Sequence, residues 1–352
     1  GEVKPSTQRA RRSRHKEHEG EDTKNAKDGA GSGLMKNFTI YKYFAALIVF
    51  TVAVSAQVGV GKRNPVSAGP ESKMFDAGRL LRDIQTLSAD DMEGRSADRP
   101  AMQRARDYVE KRFKESGIQP FGSNYQQNFD IKLRGTTDVL KGVNFVGQIK
   151  GKKTPDRYII VTAHYDHVGI NRGEIYNGAD DNASGTAALF AIASYFKKHQ
   201  PEHSLIFVAF DAEEKGLVGS RYFVANLPVK KESILLNINM DMISRNDKGE
   251  LYATGTFQNP QLKPLLKAVQ KKAGVKLLLG HDDPKLGRDD WTNQSDQGSF
   301  HREKIPFIYF GVEDHKDYHR PTDDFANIQP EFYVRAVEAI IEAVEAFDKT
   351  SK

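Results

Sequence analysis

The chain has 352 residues, 28% charged and 38% apolar, with a formal net charge of +5 and no cysteine. The positive excess sits at the front: residues 1–34 hold eight Lys/Arg against six Asp/Glu, Lys36 and Lys42 add two charges, and residues 57–352 are left near +1. That balance gives no support for nucleic-acid or acidic-lipid partners, and the lack of cysteine excludes a disulfide framework, so a hydrophobic core has to supply stability.

Residues 1–34 mix Arg11, Arg12, Arg14 and Lys16 with Glu17, Glu19 and Glu21 and show no apolar periodicity. They read as a disordered or vector-derived leader. From Met35, Lys36 and Lys42 precede the apolar run Tyr43 to Val54, and Val54-Ser55-Ala56 offers small residues for cleavage. Residues 35–56 therefore read as a secretory signal peptide cut before Gln57, which implies a secreted or periplasmic protein. The run is about twelve residues where a membrane span needs about twenty, so no stable anchor is expected after cleavage. Residues 57–73 read as a linker.

Residues 74–350 read as one domain. Leu80, Leu81, Ile84 and Leu87 recur at helical spacing, and a second amphipathic helix runs from Ala101 to Ser116 before Gly117. Tyr125 to Leu133 and Val143 to Ile149 read as strands, followed by a turn over 151–156. Four apolar runs then suit strands buried on both faces: Tyr158 to Ala163, Ser204 to Phe210, Ile234 to Asn239 and Ile305 to Phe310. Helices alternate with them at Ser184 to His199, Leu217 to Ala225, Pro260 to Ala273 and Pro330 to Lys349. The expectation is an α/β fold: a three-layer α/β/α domain whose mostly parallel, twisted, mixed sheet carries helices on both faces.

Three of those strands run straight into acid or imidazole: His164-Tyr165-Asp166-His167, Asp211-Ala212-Glu213-Glu214 and Met240-Asp241-Met242. In open α/β sheets, ligands bind outside the carboxyl ends of the strands. A further pair, Asp180 and Asp181, stands at the mouth of the helix from Ser184, where Asp181 or Asn182 could simply cap it. Asp181, Glu213, Glu214 and Asp241 brought to one crevice would repel one another unless a cation neutralised them. With His164 and His319 as nitrogen donors and no thiolate, the set suits zinc, with manganese or cobalt as substitutes. Five ligands and a spare glutamate fit two metals sharing a carboxylate.

Five segments in order, His164-x-Asp166, Gly178 to Gly185, Ala212 to Gly216, Asn239 to Met242 and Tyr318 to Asp323, resemble those of the co-catalytic dizinc aminopeptidases, peptidase family M28. The resemblance covers about residues 75 to 350 and implies the zinc-exopeptidase (phosphorylase/hydrolase-like) fold with two zinc ions. It implies that His164 and Asp241 bind one zinc, Glu214 and His319 the other, and that Asp181 bridges them, with a cis peptide often following that residue. Glu213 would be the general base, Asp166 would accept a hydrogen bond from His164 and fix its tautomer, and Tyr318 would steady the oxyanion. The substrates implied are peptides with a free N-terminus. Ser295-Asp296-Gln297 departs from the family's Ser-Asp-His, with Gln297 in the histidine's place.

The other histidines, His167, His199, His203, His281, His301 and His315, read as surface or hydrogen-bonded residues, His315 being the one close to the ligand segment. Asp323 and Asp324 read as structural or supporting acids, and Asp180 has no assigned role. Trp291, in the loop from Gly280 to Asn293, reads as a wall of a specificity pocket or as a packed indole. Three further functions compete with the aminopeptidase. A glutamate-carboxypeptidase-like or dipeptidase-like exopeptidase would need a cation for the substrate carboxylate, with Arg172, Arg245 and Arg288 as candidates. A one-zinc glutaminyl cyclase is disfavoured by the presence of both His164 and Asp241, and a non-catalytic binding domain by the complete ligand set. Oligomeric state is not legible.

Overall fold

Strand and helix bounds follow the apolar pattern closely in a computed structural model that describes residues 69–133, 135 and 137–350. The leader, the signal-peptide expectation and most of the linker lie outside the described residues. Two helices come first, α1 (Ala77–Leu87) and α2 (Met102–Ser116). Asp76 caps α1 by accepting the Arg79 N–H at 2.8 Å, and Gly117 closes α2 in the left-handed region at φ 88°.

Strands β1 (Gln119–Pro120), β2 (Gln126–Lys132), β3 (Val139–Ile149) and β4 (Thr154–His164) follow, then a separate hairpin of β5 (Gly169–Asn171) and β6 (Glu174–Tyr176). The rest is α3 (Gly185–Lys198), β7 (His203–Phe210), α4 (Val218–Ala225), β8 (Ile234–Met240), β9 (Glu250–Thr254), α5 (Lys263–Gln270), β10 (Lys276–Leu279), α6 (Gln297–Arg302), β11 (Phe307–Gly311) and α7 (Pro330–Asp348). Among the described residues, nine strands form one sheet in the order β1-β3-β7-β4-β8-β11-β9-β10, with β2 also paired to β3.

The four apolar runs are the parallel centre, β7-β4-β8-β11. Both flanks join it antiparallel, β3 on β7 and β9 on β11. Alternation along each strand divides the core. Ile159, Val161, Ala163, Leu205, Phe207 and Ala209 face α1, α2, α3 and α7, while Ile160, Ile206, Val208 and Phe210 face α4 and α6 through Phe223 and Phe300. Helix α3, mostly apolar ahead of its two terminal lysines, is buried along most of its length.

Several expectations shift. The segment expected as a turn over 151–156 is in its second half the start of β4. The helix expected from Pro260 begins as a short 3₁₀ turn, Pro260–Leu262, and α5 ends at Gln270. Strands β9 and β10 and helix α6 carry no pattern strong enough to announce them, being only five, four and six residues long. Among the described residues no helix is long and apolar enough to cross a membrane.

Candidate metal centre

Parallel strands deliver their C-terminal ends to one rim of the sheet, and the polar residues collect there. His164 ends β4, the segment Asp211 to Glu214 follows β7, Asp241 follows β8, and Tyr318 with His319 lie in the loop after β11. These are four adjacent strands of the sheet. The segment before α3 closes the site from the side, because Asp181 lies at the kinked start of that helix.

One group consists of His164, Asp181 and Asp241, all buried, with ligand atoms mutually within 4.8 Å. His164 Nε2 is 3.2 Å from Asp241 Oδ1 and 3.4 Å from Asp181 Oδ1. The other oxygen of Asp181 faces the second group: Asp181 Oδ2 is 3.1 Å from His319 Nε2, which in turn lies 3.2 Å from Glu214 Oε1. The Asp181 carboxylate thus lies between the two groups, one oxygen toward each. Glu213 and Glu214 line a cavity of about 70 Å³ together with Asp181, Asp241, Trp291, Tyr318 and His319.

These residues fit a pair of divalent metals. Ligands about 2.0–2.1 Å from a tetrahedral zinc stand roughly 3.3 Å apart, and the contacts above cluster about that spacing. Glu214 Oε1 is buried and makes no hydrogen bond despite imidazole nitrogens close by, as expected of an atom aimed at a cation. The electrostatics agree. Burial and then the neighbouring Glu214 push the Asp181 carboxyl up. Burial opposes charge on Glu214, but His167 and His319 overcome it and hold its pKa well below the usual carboxylate value. On His319 burial is likewise outweighed, by Asp181 and Glu214, which raise it to about 10.

The surrounding chain fixes these side chains largely through backbone groups. Asp323 accepts the N–H groups of Asp180 and Asp181 at 2.9 and 3.0 Å. Asp180, unassigned from sequence, accepts the N–H and hydroxyl of Ser244, both at 2.7 Å, and its other oxygen lies 2.9 Å from His315 Nε2. His315 is therefore a support for the acid pair rather than a member of either group. Asn182, joined to Asp181 by a cis peptide, accepts the N–H of Gly185, the first residue of α3, at 2.9 Å, while the cap position itself belongs to Ser184.

Two expectations need correcting. Asp166 does not receive His164 on its carboxylate: His164 Nδ1 meets the Asp166 backbone carbonyl at 3.1 Å, with the carboxylate 3.6 Å away. That carboxylate instead accepts the N–H groups of Glu213 and Glu214 at 3.0 and 3.3 Å, so Asp166 positions the glutamate pair. His167, read from sequence as outside the site, is completely buried within it, with Nδ1 3.0 Å from Glu214 Oε1.

Sequence reasoning also missed Arg95. Fully buried, it donates to the carbonyls of Leu87, Tyr165, Asn177 and Gly178 at 2.6–2.8 Å. It thereby ties the segment after β4 to the segment that carries Asp181. Its partners lie up to 83 residues away, and no local pattern announces such contacts.

The sequence model of peptidase family M28 matches residues 144–344, more than half of the chain. The chain belongs to peptidase family M28. Aminopeptidase YwaD of Bacillus subtilis is 31% identical over 240 residues, covering 64% of this chain and 49% of YwaD. A glutamate carboxypeptidase 2 homolog of Caenorhabditis briggsae is 36% identical over 110 residues, 29% of this chain and 13% of that protein. The chain thus spans half or less of the length of these curated relatives. Among solved structures, the Bacillus subtilis zinc aminopeptidase BSAP superposes with a TM-score of 0.63 at 18% identity, covering 80% of this chain and all of BSAP. Fimbriiglobus ruber glutaminyl cyclase superposes with 0.61 at 19% identity, covering 79% of this chain and 98% of that one. At such identities these two likenesses establish the α/β fold.

Proposed function

We propose that this M28 family member is a secreted, zinc-dependent aminopeptidase that binds two metal ions and removes N-terminal residues from peptides. The observation that carries the proposal is the Asp181 carboxylate, one oxygen 3.4 Å from His164 and the other 3.1 Å from His319, each beside a further carboxylate. His164, Asp181 and Asp241 would hold one metal; Asp181, Glu214 and His319 would hold the other. Zinc is supported by the donor chemistry and by relatives such as a probable zinc metalloprotease of Pyrenophora tritici-repentis, 30% identical over 154 residues. The apolar run over 43–54 supports export.

Bound divalent metal supplies an acidified water and polarises a peptide carbonyl. The chain's own residues do the rest. Glu213 lines the cavity, and burial, then Asp296 and Asp241, drive its pKa well above the ordinary value. A carboxylate there accepts a proton from water and returns it to the departing amine. Asp166 keeps Glu213 in place through its N–H. Tyr318, stacked on His319 with centroids 4.0 Å apart, presents a phenol in the same cavity for the oxyanion.

The cavity wall favours N-terminal over C-terminal recognition. It contains Asp314 and the metal-facing acids but neither lysine nor arginine. Arg245 is buried and committed to Asp317 at 2.5 Å, while Arg172 and Arg288 are exposed outside that wall. An ammonium group suits these surroundings and a substrate carboxylate does not.

The test is hydrolysis of amino-acid p-nitroanilides, N-acetylated counterparts and C-terminal dipeptides by the zinc-loaded chain, with and without chelator. Chelator-sensitive cleavage of the unblocked substrates alone is expected. Equal cleavage of acetylated substrates, or activity that survives metal removal, refutes the proposal.

A further inference from the structure

His167 meets Glu214 and Asp181 in the site as a close neighbour but completes no hydrogen bond with either. Its side chain is fully buried, and neither ring nitrogen has a hydrogen-bond partner. Buried imidazole nitrogens are normally satisfied, and of the two it is Nδ1 that is aimed at other candidate ligand atoms. Nδ1 lies 3.0 Å from Glu214 Oε1 and 3.6 Å from Asp181 Oδ2. Glu214 Oε1 is itself an orphan. Two such atoms at hydrogen-bonding distance, without a hydrogen bond between them, have the relation expected of neighbouring ligands on one cation.

The backbone is shaped to admit this ring. Gly178 has φ +59°, and a Cβ there would come within 2.5 Å of His167 Cγ and Cδ2. The Gly178 carbonyl is held by Arg95 at 2.8 Å, which keeps this close approach in place. His167, Asp181 and Glu214 together form a group whose ligand atoms lie mutually within 4.8 Å. His319 approaches the same two carboxylates from a loop and is 40% exposed on its side chain. The two rings meet edge to face with centroids 5.7 Å apart.

We propose that His167 is a further metal ligand, so that Asp181, Glu214, His319 and His167 surround one metal while His164, Asp181 and Asp241 hold the other. The proposal rests on the two-metal reading above. It makes the centre asymmetric. Four side chains close one position in the manner of a tightly held site, and three leave the other open for water or substrate.

The test is X-ray absorption of the zinc-loaded chain, with metal content measured on the same sample. Two zinc ions sharing three imidazoles are expected, falling to two imidazoles in H167N. Competition against a chromogenic chelator should show the more tightly held zinc of the wild type weakened at least about tenfold in H167N, the loss typical even of a residue that only supports a ligand. Urea unfolding of the metal-free chain checks that H167N folds; if it does not, the wild-type imidazole count decides alone. Two zinc ions with only two imidazoles overturn the role of His167 and leave the two-metal reading standing. One zinc or none in the wild type overturns both, and the stoichiometry tells these results apart.

Discussion

Replacing Arg95 by methionine isolates what one buried guanidinium contributes to the architecture of the site. Four carbonyls lose a charged donor, those of Leu87, Tyr165, Asn177 and Gly178. At about 1.5–3 kcal/mol for each charge-assisted bond, the simple sum is about 6–12 kcal/mol. Removing a charge that burial already pulls down to a pKa of about 10 returns several kcal/mol of desolvation. The expected net loss is about 3–5 kcal/mol, a large part of the stability of an ordinary domain. Urea unfolding of metal-free wild type and R95M, followed by far-ultraviolet circular dichroism, measures it, with the slope expected to stay constant. Both released segments carry residues of the centre, so R95M should also bind zinc more weakly. A loss under about 1 kcal/mol with unchanged zinc affinity would falsify the view that these four bonds hold the two segments together.

Glu213→Gln should keep both metals by metal analysis while peptide turnover falls by roughly 10² to 10⁴-fold; near-normal turnover removes Glu213 from the proton path. Asp323→Ala leaves the N–H groups of Asp180 and Asp181 without their carboxylate, and a loss of about 2–4 kcal/mol in urea unfolding is expected. Asp296 supplies a pH test. Burial raises its pKa in the folded metal-free chain to about 7 from an ordinary 3.8, so the folded state binds the proton more tightly. Its contribution to stability is therefore complete below about pH 4 and lost as pH rises through about 7, a change on the order of a few kcal/mol. D296N should flatten the dependence of the urea midpoint on pH over that range; an unchanged slope would mean that Asp296 does not titrate there.

The central strands were legible because each is a continuous apolar run buried on both faces, and three of them lead directly into acids or imidazole. Position at the rim of the sheet then follows from parallel pairing. The rest depended on direction and distance rather than residue type. For Asp166 the family resemblance implies an imidazole partner, yet its carboxylate reaches across to the backbone of Glu213 and Glu214. His167 follows an already plausible ligand segment and carries no spacing signal of its own, so only the fold brings it beside Glu214. Arg95 precedes a plain Ser-Ala-Asp stretch, and three of its four partner carbonyls lie 70 or more residues away. Strands β9 and β10 are too short for alternation to register, and they are held by pairing with β11 and with each other.

Trp291 is the one tryptophan in the chain. It stacks on His281 at 3.7 Å with the rings 7° apart, faces Tyr309 edge-on, and forms part of the wall around the acid cluster. All indole emission from this protein therefore originates at the mouth of the site and none from the sheet interior. A ligand entering the cavity changes the polarity around that ring directly, so occupancy can be followed by intrinsic fluorescence without a label or a substitution.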